Sequence, residues 1–375
     1  MKKVLFVFGT RPEAIKMAPV INVFKKDSSN FETIVAVTAQ HREMLDQVLS
    51  LFEIIPDYDL DLMTPNQTLE SLTGEVLMGI SNVLSTLNPD LLLVQGDTTS
   101  TYAAALAAFY KKISIGHIEA GLRTNNIYSP FPEEINRRMT TSMTSFHFPP
   151  TNQSKNNLLD EGVIDNAIEV VGNTVIDALL TVSNKIESDS NRFDKYFSKK
   201  YDIRFNHQKT ILVTGHRRES FGDGFENICN AIKHFAENNN VQVIYPVHLN
   251  PNVQEPVSRI LSNIKNVHLI PPQDYLPFIY LMKKAHIILT DSGGVQEEAP
   301  SLGKPVLVMR DNTERPEGID AGTARLVGTD SKIIISQVER LLNKKTVYNK
   351  MAKAVNPYGD GKASQKIYNF ILDKL

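Results

Sequence analysis

Carboxylates, histidines and guanidinium groups in this chain collect immediately after short apolar runs. The segment Thr290-Asp291-Ser292-Gly293-Gly294-Val295-Gln296-Glu297-Glu298 follows the apolar run Ala285–Leu289 and precedes a stretch that reads as a helix over Val295–Leu302. At such a strand-to-helix turn the backbone N–H groups point outward with the helix dipole behind them, which suits a phosphate. Glu298, four residues beyond Gly294, would lie one helical turn deeper, where a carboxylate accepts from ribose hydroxyls. An isolated Gly-Gly by itself reads as a tight turn that needs φ > 0. The balance shifts because a second polar stretch, Arg310–Glu317, follows the next apolar run, Val306–Met309. Two successive strand ends then carry polar groups on the side where open α/β sheets bind ligands.

A second group of residues suits proton transfer. Asp97, in Gln95-Gly96-Asp97-Thr98-Thr99, ends one apolar run; by itself it would be a helix cap. Glu119 follows the next run, in His117–Arg123, and Glu133 comes soon after, in Pro130–Arg138. Carboxylates gathered at adjacent strand ends shift one another's pKa and can serve as acid and base. Glu134 reads instead as a salt-bridge partner for Arg123, Arg137 and Arg138. Arg11 and Lys16, at the turn from the first strand into the first helix, are placed to meet phosphate or carboxylates. His216, Arg217 and Arg218 follow another strand and again suit a diphosphate. Tyr245–Asn252, which contains His248, is a further polar strand end; His234 and His268 read as structural or surface residues.

These residues need a scaffold that repeats strand, turn and helix. Apolar runs at Val4–Phe8, Thr33–Thr38, Leu91–Gln95, Ile113–His117, Phe146–Phe148 and Ile168–Val171 read as strands, with helices at Pro12–Lys26, Arg42–Leu49, Leu69–Leu87 and Thr99–Tyr110. The alternation resumes with strands at Thr210–Thr214, Gln242–Pro246, Val267–Ile270, His286–Leu289, Val306–Val308 and Ala324–Val327. Buried strands alternating with helices mean βαβ units and parallel sheets. A chain of 375 residues is long for one core. The expected class is α/β with two Rossmann-like, doubly wound domains, 1–172 and 173–360, and a cleft between them. A helix from Asn173 leaves the first domain, and the polar stretch 183–208 reads as the boundary region.

Composition narrows the chemistry. A net charge of −2 gives no general attraction to nucleic acid or anionic membrane, so anion binding must be local. No apolar run approaches the ~18 residues of a membrane span, and a cytoplasmic protein is expected. The single cysteine, Cys229, excludes an internal disulfide and a Cys-rich metal site. No G-x-G-x-x-G fingerprint or metal-ligand spacing occurs, so neither a nicotinamide cofactor nor a metal is expected. Gly359–Ala363 lacks the earlier glycine and the hydroxyl of a P-loop.

Taken together and in order, Gly9–Pro19, Ala39–Gln47, Gly96–Thr98, His117–Arg123, Phe131–Arg137, Gly215–Gly222, Tyr245–Asn252 and Asp291–Glu317 resemble the bacterial non-hydrolysing UDP-N-acetylglucosamine 2-epimerases. The resemblance implies the GT-B arrangement, a C-terminal helix over 361–375 that packs back on the first domain, and a homodimer. It implies interconversion of UDP-N-acetylglucosamine and UDP-N-acetylmannosamine, through UDP and a 2-acetamidoglucal, for cell-surface polysaccharide. Asp97, Glu119 and Glu133 become the acid–base set and His216 the fourth catalytic position. Arg11, Ser292, Gly293 and Gly294 are expected on the diphosphate, Glu298 on the ribose, Arg315 on the phosphate or sugar, and Lys16 as a further contact. Gln40, Arg217 and His248 match positions that hold a second, activating UDP-N-acetylglucosamine, although Glu43 and Glu70 stand where Gln and Arg are expected. A GT-B glycosyltransferase, a hydrolysing epimerase and a non-catalytic UDP-sugar sensor are the competing readings.

Overall fold

The computed structural model describes residues 1–38, 42–64, 67–205 and 208–375, without the side chain of Arg42. The chain forms two compact units, Met1–Ala178 with Tyr358–Leu375, and Leu179–Pro357. The first contains β1 (Lys2–Phe8), α1 (Arg11–Lys26), β2 (Phe31–Val37), α2 (Arg42–Leu51), β3 (Tyr58–Asp59), α3 (Leu69–Leu87), β4 (Leu91–Gln95), α4 (Thr99–Tyr110), β5 (Ser114–Ile118), α5 (Glu133–Met143), β6 (Phe146–Phe148) and α6 (Asn152–Asp160). Helix α7 (Thr174–Ser188) carries the chain onward. The second unit contains α8 (Ser190–Tyr201), β7 (Lys209–Thr214), α9 (Asp223–Asn238), β8 (Val241–Pro246), α10 (Pro251–Leu261), β9 (Val267–Ile270), α11 (Tyr275–Lys284), β10 (Ile287–Thr290), α12 (Gly293–Glu298), β11 (Val306–Val308), α13 (Pro316–Asp320), β12 (Ala324–Leu326), α14 (Ser331–Asn343) and α15 (Lys345–Ala352). The last helix, α16 (Ala363–Lys374), belongs to the first unit.

Among the described residues each unit holds a six-stranded parallel sheet, in the orders β3-β2-β1-β4-β5-β6 and β12-β11-β10-β7-β8-β9. Both follow the doubly wound order 3-2-1-4-5-6, with the strand order reversing between the first and fourth strands. Those reversal points are β1/β4 and β7/β10. Central strands are apolar on both faces, as helices on both sides require: Val4–Phe8 and Leu91–Val94 are essentially inaccessible.

Three local readings of the sequence are corrected. Ile168–Val171 is not a strand; it touches β6 through a single bridge, Ile168 to His147, before Gly172 at φ +94° turns the chain away. The two-residue β3 was not anticipated, because two residues are too few to show a period. The first division between the units falls at 178/179, ahead of the polar stretch 183–208 that was expected to contain it. That stretch carries the end of α7 and all of α8, whose Phe193 and Phe197 are buried against Tyr280 at ring separations of 5.2 and 5.5 Å. The units divide at 178/179 and 357/358, where the sequence reading set 172/173 and 360/361. At the return point the chain passes too close for side chains: a Cβ on Gly172 would lie 3.2 Å from both Gly359 Cα and Tyr358 O.

Helix α16 packs on α1. Tyr368 meets Phe24 and Phe31 edge-on at 5.3 and 5.7 Å, and Phe24 is fully buried between Phe6, Phe31 and Tyr368. Truncating Phe24 to alanine leaves a cavity that four elements would have to close. Phe24→Ala is expected to cost about 3–5 kcal/mol, read as a lower urea midpoint for the transition of this unit.

Candidate active site

In the first unit the polar residues sit at the carboxyl ends of β1, β4 and β5, around the β1/β4 reversal. The turn after β1 is fixed by Glu13. Thr10 and Glu13 form a capping box at the start of α1. The Glu13 carboxylate also accepts from Gly9 N at 3.1 Å, Thr10 N at 2.7 Å, Thr98 Oγ1 at 2.6 Å and Thr101 Oγ1 at 3.0 Å. One buried carboxylate thus joins the turn bearing Arg11 to the turn bearing Asp97. His117, buried in β5, contacts the Gly96 carbonyl through Nε2 at 2.7 Å. Burial lowers its pKa to about 3, so the ring is neutral and Nε2 donates.

Glu119 follows β5 with φ +64°, in the left-handed region that a non-glycine residue keeps only when its neighbours hold it there. Its carboxylate accepts from Lys16 Nζ at 2.6 and 2.7 Å, from Asn173 Nδ2 at 3.0 Å and from Gln95 Nε2. Asp97 pairs with Arg137 Nη2 at 2.7 Å and keeps 26% of its side-chain surface exposed. Desolvation pushes the Asp97 carboxyl up; Arg137 and Lys16 oppose this, while Glu119 and Glu133 add to it, and the result is about 6. Asn136 Nδ2 anchors the Asp97 carbonyl at 3.0 Å. Glu133 opens α5, is half-buried, and is close enough for its charge to act on Asp97. Glu134 is the structural carboxylate: fully buried, it accepts from Thr124 N and Asn125 N and pairs with Arg138 at 3.0 Å and Arg137 at 3.6 Å. Arg123 turns elsewhere, to Glu161.

In the second unit the equivalent reversal, β7/β10, is bridged by Asp291. Its Oδ2 accepts from His216 N at 2.7 Å and Arg217 N at 2.8 Å, and His216 Nδ1 lies 3.2 Å from Oδ1. Burial opposes ionisation of Asp291, but His216 and the two backbone amides outweigh it and hold the carboxyl below its ordinary value. Helix α12 begins at Gly293, two residues earlier than read from the sequence. The Ser292 amide is not bare: it donates to Thr290 Oγ1 at 3.0 Å, and Thr290 Oγ1 meets Thr214 Oγ1 at 2.5 Å. The first-turn amides of Gly293 and Gly294 have no partner within the helix, and a Cβ at Gly293 would meet nothing within 4 Å. Glu298 is buried one turn deeper and accepts from Tyr275 Oη at 2.8 Å. Burial raises the Tyr275 phenol well above its usual value, so it remains a donor.

Residues 24–372 match the family model described as UDP-N-acetylglucosamine 2-epimerase. UDP-N-acetylglucosamine 2-epimerase of Salmonella typhimurium is 58% identical over 366 residues, covering 97% of both chains. The Escherichia coli K12 protein of the same description matches to the same extent. The chain belongs to the UDP-N-acetylglucosamine 2-epimerase family. The crystal structure of the Neisseria meningitidis UDP-GlcNAc 2-epimerase bound to UDP-GlcNAc superposes with a TM-score of 0.89 at 53% identity, covering 99% of this chain and all of that one.

Within this epimerase fold the residues read from the sequence fall into two clusters. Arg11, Lys16, Asp97, Glu119 and Glu133 gather around one reversal. His216, Arg217, Ser292, Gly293, Gly294 and Glu298 gather around the other. His248, which is exposed, stacks on His216 with ring centroids 5.4 Å apart. Arg315 Nε is on the buried Glu297, and Gln40 lies outside the described residues. Sequence reasoning missed Glu13, Gln95, Asn136 and Asn173, which act on other protein groups. Glu13 was legible in principle from Thr10-x-x-Glu13 ahead of an apolar run.

An acid whose folded pKa exceeds its unfolded value holds its proton longer when folded. Stability therefore falls as pH rises from about 4 to about 6, and the cost of ionising Asp97 is fully present above that window. Asp97→Asn is expected to raise unfolding free energy near pH 7 by on the order of 1–2 kcal/mol, discounted for its exposed edge. Below about pH 4 variant and parent should unfold at the same urea midpoint.

Proposed function

We propose that this chain interconverts UDP-N-acetylglucosamine and UDP-N-acetylmannosamine without hydrolysing them. The observation that carries the reading is the family match over most of the chain, joined to a carboxylate cluster in which Asp97 titrates at about 6. The C2 hydrogen of such a sugar is a weak acid, since C2 bears no carbonyl. It becomes acidic as the C1–O bond to UDP stretches and positive charge builds at C1. UDP departs with the bonding electrons, a carboxylate takes the C2 proton, and a 2-acetamidoglucal remains. Re-addition of UDP at C1, with protonation of C2 on the opposite face, gives the epimer.

This route asks for proton-transfer groups and for donors that stabilise a departing diphosphate. Asp97, Glu119 and Glu133 are proposed for the first task. Asp97 is suited to both giving and taking a proton near neutral pH, and Glu133 forms no ion pair with the described residues. The amides of Gly293 and Gly294, the hydroxyl of Ser292, Arg11 and His216 are proposed for the second. Glu298 is proposed to hold the ribose, and Arg315 and Lys16 to assist on the phosphate or sugar. A cytoplasmic homodimer belongs to the same reading, as does a second UDP-sugar near Arg217 and His248. A lag in the conversion of UDP-N-acetylmannosamine, removed by traces of the other epimer, is what that second site predicts.

Incubation with UDP-N-acetylglucosamine alone in heavy water, followed by proton NMR, tests the reading. The expected products are both UDP-sugars, each gaining deuterium at C2. Free N-acetylmannosamine would mark a hydrolysing enzyme, and no epimer without an added acceptor would mark a transferase. Asp97→Asn should lower turnover by roughly 10²–10⁴-fold; an unchanged rate would remove Asp97 from the acid–base set, and a parent that binds the sugar without turning it over would be only a sensor.

A further inference from the structure

The grip on Glu119 goes beyond its ion pair with Lys16. Each carboxylate oxygen also receives one neutral amide: Oε1 takes Asn173 Nδ2 at 3.0 Å, and Oε2 takes Gln95 Nε2. Both residues are buried, and the Asn173 amide is held at its other end as well. Asn173 is 2% exposed; its backbone N–H donates to Tyr358 O at 2.6 Å, and its Oδ1 accepts from Val175 N at 3.0 Å. The second bond caps α7 and fixes the amide so that Nδ2 faces Glu119. Gln95 ends β4, is also 2% exposed, and its carbonyl accepts from Thr101 Oγ1 at 2.7 Å. Among the described residues, the charged or titratable groups facing Glu119 include Lys16 from α1, Asp97 after β4 and the neutral His117 in β5.

We infer that Asn173 and Gln95 are positioning residues, an amide clamp that holds Glu119 oriented and ionised for proton transfer at C2. This rests on the epimerase reading above. An N–H aimed at each oxygen favours the carboxylate over the acid. An N–H also cannot accept from a protonated carboxyl, so a proton settles on Glu119 only where Lys16 or one of the amides gives way. The clamp works against the left-handed backbone of Glu119, which tends to release the residue to other conformations. Asn173 further ties this carboxylate to the point where the chain re-enters the unit at Tyr358.

Asn173→Ser tests the clamp without adding charge. It keeps a capping oxygen at the start of α7 and removes the donor facing Glu119. Gln95→Met removes the donor at the other oxygen and has no capping role, so it carries the test if the first variant does not fold. Both are measured for thermal midpoint, and for kcat and KM across pH. The expected result is a kcat lower by roughly ten- to a hundredfold, KM little changed, and the acid limb of kcat/KM displaced upward by about one pH unit. A purely structural role would lower the thermal midpoint and leave the pH limbs of the folded enzyme where they were. Parental kcat and parental pH limbs in folded variants overturn the clamp while the epimerase reading stands. A parent that makes no epimer overturns the reading itself.

Discussion

The polar chemistry of the first unit depends on a carboxylate that does none of it. Glu13 accepts from two backbone amides of its own turn and from the hydroxyls of Thr98 and Thr101 across the β1/β4 reversal. A doubly wound sheet opens a crevice at that place because the crossover helices leave to opposite sides. Without a tie, the two turns would be independent loops. Glu13 makes them one object, so that Arg11, Lys16 and Asp97 keep a fixed mutual geometry. The carboxylate is deeply buried, and four donors offset its desolvation.

The second unit solves the same problem from the opposite strand. Asp291, at the end of β10, reaches the amides of His216 and Arg217 after β7. In one unit the tie comes from the first helix, in the other from the fourth strand. In both it is a buried acid that accepts from two backbone N–H groups and spans the reversal, through threonine hydroxyls for Glu13 and through the amides themselves for Asp291. The parallel follows from the strand order and not from any likeness of the residues. Each reversal exposes unpaired amides, and a short acidic side chain is an economical way to satisfy them.

Much of this was legible in the chain because parallel strands buried on both faces write themselves as continuous apolar runs. Leu91–Gln95, Phe146–Phe148, Val267–Ile270 and Val306–Val308 were read with their observed limits. Residues placed directly after strand ends, such as Asp97 and Glu119, were legible for the same reason: a polar group directly after such a run has few places to go. Residues whose partners lie far away in the chain were not. Asn173 touches Glu119 across 54 positions and Glu13 touches Thr101 across 88. Only the fold creates such pairs. The apolar Ile168–Val171 misled for the converse reason. Its composition is that of a strand, but Gly172 turns the chain after one bridge, and burial of the run comes from packing and not from a ladder.

The hydroxyl pair Thr214–Thr290 stitches the ends of β7 and β10 together, and the Ser292 amide hangs from it. The turn that precedes Gly293 therefore moves with the sheet and not with the solvent. An anion arriving there would find its donors aimed in advance, with the loss of loop freedom already settled during folding. Recognition at that turn would then show up as a small entropic penalty and a slow escape, the signature of a preformed cradle rather than of a loop that must wrap its guest.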